Sequence, residues 1–128
     1  MNLKELNIDV IEAMLDAMPF DCSFVDENDT VKFFNTPKAG RIFPRTKMDL
    51  GRKVQNCHPP RSLDKVNKIL NGFRDGSMTE SVFWIDFNAR KTMISYYPVK
   101  DAAGKYLGCL EVTQDVEDIR KLEGEKRL

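Results

Sequence analysis

The sequence predicts an α+β domain built on one antiparallel sheet, and three observations predict it. An amphipathic helical stretch opens the chain and stops at Pro19. A second helical stretch near the middle stops at Asp75-Gly76. Short runs of β-branched and aromatic residues lie on both sides of that second helix. With 128 residues the chain can bury one core but not two. Hydrophobic residues make up 41% and charged residues 31%, a balance of folded, soluble domains rather than disordered chains.

Residues 3–18 follow a helical period, with Ile8, Ile11, Leu15 and Met18 on one stripe and Val10 and Met14 widening it. Pro19 ends the helix because it has no N–H and restricts the residue before it. A stripe this broad must be covered by a sheet or by a second copy of itself. Phe20, Cys22 and Phe24 then alternate as in a half-buried strand, the polar run Asp26-Glu27-Asn28-Asp29 turns the chain, and Val31 to Phe34 returns it as a hairpin. Residues 35–60 carry Pro37, Gly40, Pro44, Gly51, Pro59 and Pro60, which exclude a long regular element. Segments of this length without one often serve a function such as wrapping a ligand.

Leu63, Val66, Leu70 and Phe73, with Ile69 beside them, mark one face of the central helix. Ser62 or Pro60 starts it, and Gly76 tolerates the left-handed conformation that stops it. Strands are expected at residues 81–87, 92–99 and 106–113, joined by the Asn88-Ala89 turn and the 101–104 loop. Asp115 reads as the N-cap of a terminal helix, with Glu117 and Asp118 in its first turn and Lys121, Lys126 and Arg127 later. The expected organisation is a flanking helix over 1–19 that serves dimerisation, a core over 20–115 and a terminal signalling helix over 116–128.

Several classes of function lose support. Basic and acidic residues balance at 20 each, without the basic excess of a phosphate-neutralising nucleic-acid binder. Lys4, Glu5, Asp9, Glu12 and Asp16 interrupt the first helix, so it is neither a signal peptide nor a membrane span. Cys22, Cys57 and Cys109 are odd in number and widely spaced, against a disulfide framework or a structural zinc site and in favour of a reducing cytoplasm. No nucleophile elbow, phosphate loop, zinc-protease helix or dinucleotide fingerprint occurs. Asp86 and Glu111 read as strand residues that face solvent or satisfy a local hydrogen bond, and no catalytic residue is expected.

The order of elements resembles the PAS fold, a five-stranded antiparallel sheet with central helices on one face. Residues 26–35 (DENDTVKFFN) resemble its first hairpin with a closing asparagine. Leu50-Gly51-Arg52 followed by His58-Pro59 resembles the passage into its long helix. Residues 101–108 (DAAGKYLG) and 111–116 (EVTQDV) resemble its last hairpin and exit. A narrower resemblance, carried by Arg41-Ile42-Phe43-Pro44-Arg45 and residues 51–60 (GRKVQNCHPP), is to PAS domains that follow hemerythrin-like domains in prokaryotic proteins. The resemblance implies a module that binds a small ligand or cofactor and passes its state through flanking helices and a homodimer to an output or hemerythrin-like domain. The alternative is a structural dimerisation domain with a filled core.

For a bound cofactor, His58, Cys57, Arg45, Arg52 and Arg61 are the candidate residues. His58 is the sole histidine, a potential haem ligand, and the arginines, with Arg41, could meet propionates. The competing reading, a ring that caps or packs at the helix start, outweighs haem. A flavin adduct at Cys57 is not expected, because His58-Pro59-Pro60 replaces the continuation such photosensors carry, and an inert packed thiol is the plainer description. A ligand pocket hollowed from the core is expected to be lined by Phe33, Ile69, Phe73, Ile94 and Leu110. The other aromatics that could contribute are Phe34, Phe43, Phe83, Trp84, Phe87, Tyr96 and Tyr97.

Overall fold

The computed structural model describes residues 2–128. Its sheet is formed by β1 (Asp21–Asp26), β2 (Val31–Phe34), β3 (Ser81–Phe87), β4 (Arg90–Lys100) and β5 (Tyr106–Asp115). All neighbours are antiparallel, in the spatial order β2-β1-β5-β4-β3. The flanking helix α1 spans Ile8–Asp16 and the central helix α2 spans Leu63–Asp75. Between β2 and α2 the chain makes only short 3₁₀ turns, at Lys47–Asp49, Val54–Cys57 and Pro60–Ser62. The single antiparallel sheet is the one the sequence predicts.

Local chemistry sets the ends of both helices. The Val10 N–H donates to the Asn7 side chain at 2.9 Å, so α1 starts there and Leu3–Glu5 forms a separate turn. Gly76 closes α2 with φ of 81°. The predicted terminal helix over 116–128 is absent: only a 3₁₀ turn at Ile119–Lys121 forms. Glu117 explains the difference. Its carboxylate accepts the Lys91 N–H at 2.7 Å and pairs with Arg120 and Lys121, while the Val116 N–H donates to the Lys91 carbonyl. The exit segment is thereby fastened across the start of β4, and of the short stripe Val116 is half-buried while Ile119 and Leu122 stay exposed.

The inner face of the sheet is filled at one end and hollow at the other. Val25, Val31, Val54, Val66, Ile69, Leu70, Phe73 and Cys109 form the packed core beneath β1, β2 and β5. Two register shifts decide which residues reach it. Between Phe24 and Val25, β1 pairs with Phe33 and then skips to Val31; at the β4–β5 pair, Val99 faces Gly108 and Lys100 faces Tyr106, leaving Leu107 extra. Each is a bulge that reverses the alternation of faces.

Gly108 makes the second bulge feasible. Its φ is 151°, and a Cβ built there would sit 2.1 Å from the Val25 carbonyl oxygen and 2.7 Å from the Phe24 ring. Backbone on one side and a strand on the other leave no room to yield. Gly108→Ala is therefore expected to cost about 3 kcal/mol, read as a lowered midpoint in urea. A midpoint unchanged within error would show that the bulge can be repaired without glycine.

Candidate ligand cavity

A cavity of about 560 Å³ lies between the β3–β4 half of the sheet and the segment that enters α2. On the sheet side Phe83, Ile85, Phe87, Ile94, Tyr96 and Glu111 line it. On the helical side stand Phe43, Pro44, Arg45, Cys57, His58, Pro59, Arg61, Ser62, Lys65, Val66 and Ile69. Phe43 and Phe87 meet edge to face with centroids 5.2 Å apart, and Phe83 stacks on Tyr96 at 6.1 Å. The result is an aromatic slot, of a size ordinary for small-ligand sites.

The wall carrying Phe43, Pro44 and Arg45 is held by a buried polar knot. Asp21, on β1, accepts the N–H groups of Ile42 and Phe43 at 2.9 and 3.0 Å. Arg41 donates to the carbonyls of Phe43, Asn35 and Cys22 and to Ser23 Oγ, and its guanidinium lies 3.8 Å from Asp21. Asn35, wholly buried, joins the same knot. Burial pulls the Arg41 pKa down and the Asp21 carboxylate offsets part of that effect.

Of the residues expected to line a pocket, Ile69 and Ile94 line this cavity and three do not. Phe73 is buried, but in the filled half, two helical turns past the cavity mouth. Phe33 pairs with Phe24, which pairs with Leu110, and all three lie on the outer face of the sheet. Phe33 and Leu110 both lie next to a bulge, and each bulge reverses the alternation that would turn them inward. The same reversal brings Glu111 inward, where it is only 7% exposed, so of the two roles expected for it, facing solvent or satisfying a local hydrogen bond, the first is excluded.

Of the candidate cofactor residues, His58, Cys57, Arg45 and Arg61 line the cavity and Arg52 does not. Arg52 lies outside, 3.7 Å from Asp49 and bonded to the Asn56 carbonyl. Arg41 is committed to the knot. His58 Nδ1 donates to the Val54 carbonyl at 3.0 Å, which leaves Nε2 as the unbonded ring nitrogen. Cys57 sits 3.8 Å from Asp49 Oδ1, and burial together with that carboxylate pushes its pKa up, so it rests as a thiol.

Lys65, Asp21 and Glu111 are the site residues that the sequence reading does not reach. A carboxylate between Leu110 and Val112 in a central strand was the available signal for Glu111. Among the described residues no group of three metal-ligating side chains converges, and no helix is long and apolar enough to cross a membrane.

An antiparallel five-stranded sheet with its inner face hollowed under a loop-rich helical layer defines a small α+β module with a cavity in its core. Comparison with known proteins then gives the family: residues 11–117 match the PAS domain, and the chain belongs to that family. It is similar to the C-terminal domain of a Streptococcus mutans protein, at 31% identity and a TM-score of 0.83, covering 92% of this chain and 91% of that one. A PAS domain from Colwellia psychrerythraea superposes at a TM-score of 0.62 with 13% identity, covering 88% of this chain and 99% of that one. A sensory box sensor histidine kinase from Vibrio cholerae does so at 0.60 with 14% identity, covering 84% and 89%. No curated protein matches the sequence.

Proposed function

We propose that this PAS domain is a sensory module without catalytic activity that receives a small molecule in its core cavity and passes its occupancy to a partner copy and an output domain. The observation that carries the reading is the hollow half of the core. A domain serving only as a structural dimeriser has no use for an unfilled interior, because each missing contact lowers stability. Anilinonaphthalene sulfonate, an apolar aromatic anion whose fluorescence rises out of water, is expected to bind the parent protein saturably. Ile94→Trp, which fills the slot, should abolish that binding while leaving a cooperative melt. Equal binding by both proteins would sink the cavity reading and favour the filled, purely dimerising domain.

The assembly we propose is a homodimer that covers α1. Ile8 is 72% exposed, and Met14 and Val10 stand out beside it. On the outer face of the sheet Trp84 is 63% exposed. Large apolar residues left this exposed favour association. Met14→Glu is expected to weaken the dimer at least about tenfold by sedimentation, since a carboxylate would have to be desolvated in the interface. A parent that sediments as a monomer at high concentration would refute this. In a longer protein the natural neighbours are a hemerythrin-like domain or another output domain, and the three free thiols suit a reducing cytoplasm.

Haem is the second reading, favoured by His58. A ring that donates Nδ1–H to a carbonyl is oriented as ligating histidines usually are. His58 would supply the axial nitrogen, and Arg45 and Arg61 would meet the propionates. Haemin should then give a sharp absorption band at one haem per chain that His58→Ala removes; absence of the band retires haem here.

A further inference from the structure

Charge is distributed along the cavity in a way that selects more than size. The floor offers acceptors. Glu111 is buried there, and among the described residues its carboxylate accepts no backbone N–H and has no cation within ion-pair distance. Arg41 is paired to Asp21 instead. Burial and the neighbouring Glu111 carboxylate together push the Tyr96 pKa up, so the phenol keeps its proton. A carboxylate has room for about four hydrogen bonds, so most of this one's capacity is unused. His58 adds Nε2, the ring nitrogen left unbonded because Nδ1–H is taken by the Val54 carbonyl. A void of about 10 Å³ behind Glu111, Tyr96 and His58 extends the floor.

The mouth is the opposite. Arg45, Arg61 and Lys65 line it, and among the described residues none of them has an ion-pair partner. Arg45 bonds only to its neighbour's carbonyl, at 3.2 Å. The Lys65 ammonium stands 3.5 Å from the centroid of the Phe83 ring, over the entrance to the aromatic slot. A ligand that satisfied only the walls would leave a buried carboxylate drier and still unbonded, which is unfavourable. One with its positive end outward would meet three cations.

Resting on the cavity reading above, we propose that this site selects a planar aromatic anion that carries an N–H or O–H donor at the end away from its anionic group. The donor reads Glu111 on the floor, the ring lies between Phe43, Phe83 and Phe87, and the anion meets Arg45, Arg61 and Lys65 at the mouth. Indole-3-acetate is a suitable probe, with its N-methyl derivative and tryptamine as controls. By calorimetry the N-methyl compound is expected to bind at least tenfold more weakly than indole-3-acetate, and tryptamine more weakly still. In Glu111→Leu the N-methyl penalty should vanish. Glu111→Gln provides the same reading if the leucine variant fails to fold: its neutral amide should shrink the penalty. An unchanged penalty, tryptamine binding as tightly as indole-3-acetate, or no binding of indole-3-acetate at millimolar concentration overturns the proposal. The cavity reading survives each of these results so long as anilinonaphthalene sulfonate binding still depends on Ile94.

Discussion

Asn35→Ala is expected to destabilise the domain by about 3 kcal/mol and to lower its melting temperature by about 10 °C. The Asn35 side chain has no exposure, and its amide is fully used. Oδ1 accepts the Cys22 N–H at 2.7 Å and the Arg41 guanidinium at 3.2 Å. Nδ2 donates to the Leu15 and Phe20 carbonyls, both at 2.9 Å. One side chain thereby joins the end of α1, the start of β1 and the loop that begins the cavity wall. Truncation takes a partner from the Cys22 N–H and from the Leu15 and Phe20 carbonyls, and each such loss costs about 1 kcal/mol or more. Asn35→Asp separates the donors from the acceptor. It keeps Oδ1 but turns a charge toward two carbonyls, so it should be as damaging as alanine. If aspartate restored the parent's melting temperature, the two donated bonds would carry no stability, and the tie to α1 would be incidental.

Asn35 also marks what a sequence can and cannot disclose. Its place at the close of the first hairpin is readable, because Val31 to Phe34 alternates and then stops at a polar residue. Its partners are not, since they lie 6 to 20 positions away. The strands and α2 follow local rules of alternation, helical period and a stopping glycine, and they form where those rules place them. Faces failed where one residue was inserted, as at Phe24–Val25 and Leu107–Gly108. A bulge has no period of its own, and Leu110 is as good an inward residue as any until Gly108 has turned the strand over. Exchange of Leu110 for Glu111 on the inner face is the largest consequence, because it converts an apolar floor into one that accepts hydrogen bonds. At the C-terminus, capping signals at Asp115 were present. The Glu117 side chain bonded to Lys91 rather than supporting a helix.

Arg41→Met is expected to be the other severe substitution, at about 3 to 4 kcal/mol, because it strands the buried Asp21 carboxylate and removes the donor to three carbonyls. Arg41→Lys tests whether charge alone suffices. An ammonium on a flexible stem cannot reproduce a planar fork that meets Phe43, Asn35, Cys22 and Ser23 at once, so lysine should recover less than half of the loss. The effect on binding should exceed the effect on folding. Arg41 and Asp21 fasten the backbone of Ile42 and Phe43, and the next two residues are cavity wall. A lysine variant that still melts cooperatively should therefore bind anilinonaphthalene sulfonate several-fold more weakly than the parent. Pairing Arg41→Lys with Asn35→Ala adds a sharper demand. The two side chains touch, so their losses should overlap by about 1 kcal/mol or more instead of adding. Strict additivity would mean that each holds its own segment, and that the cavity wall is anchored by Asp21 without the knot behind it.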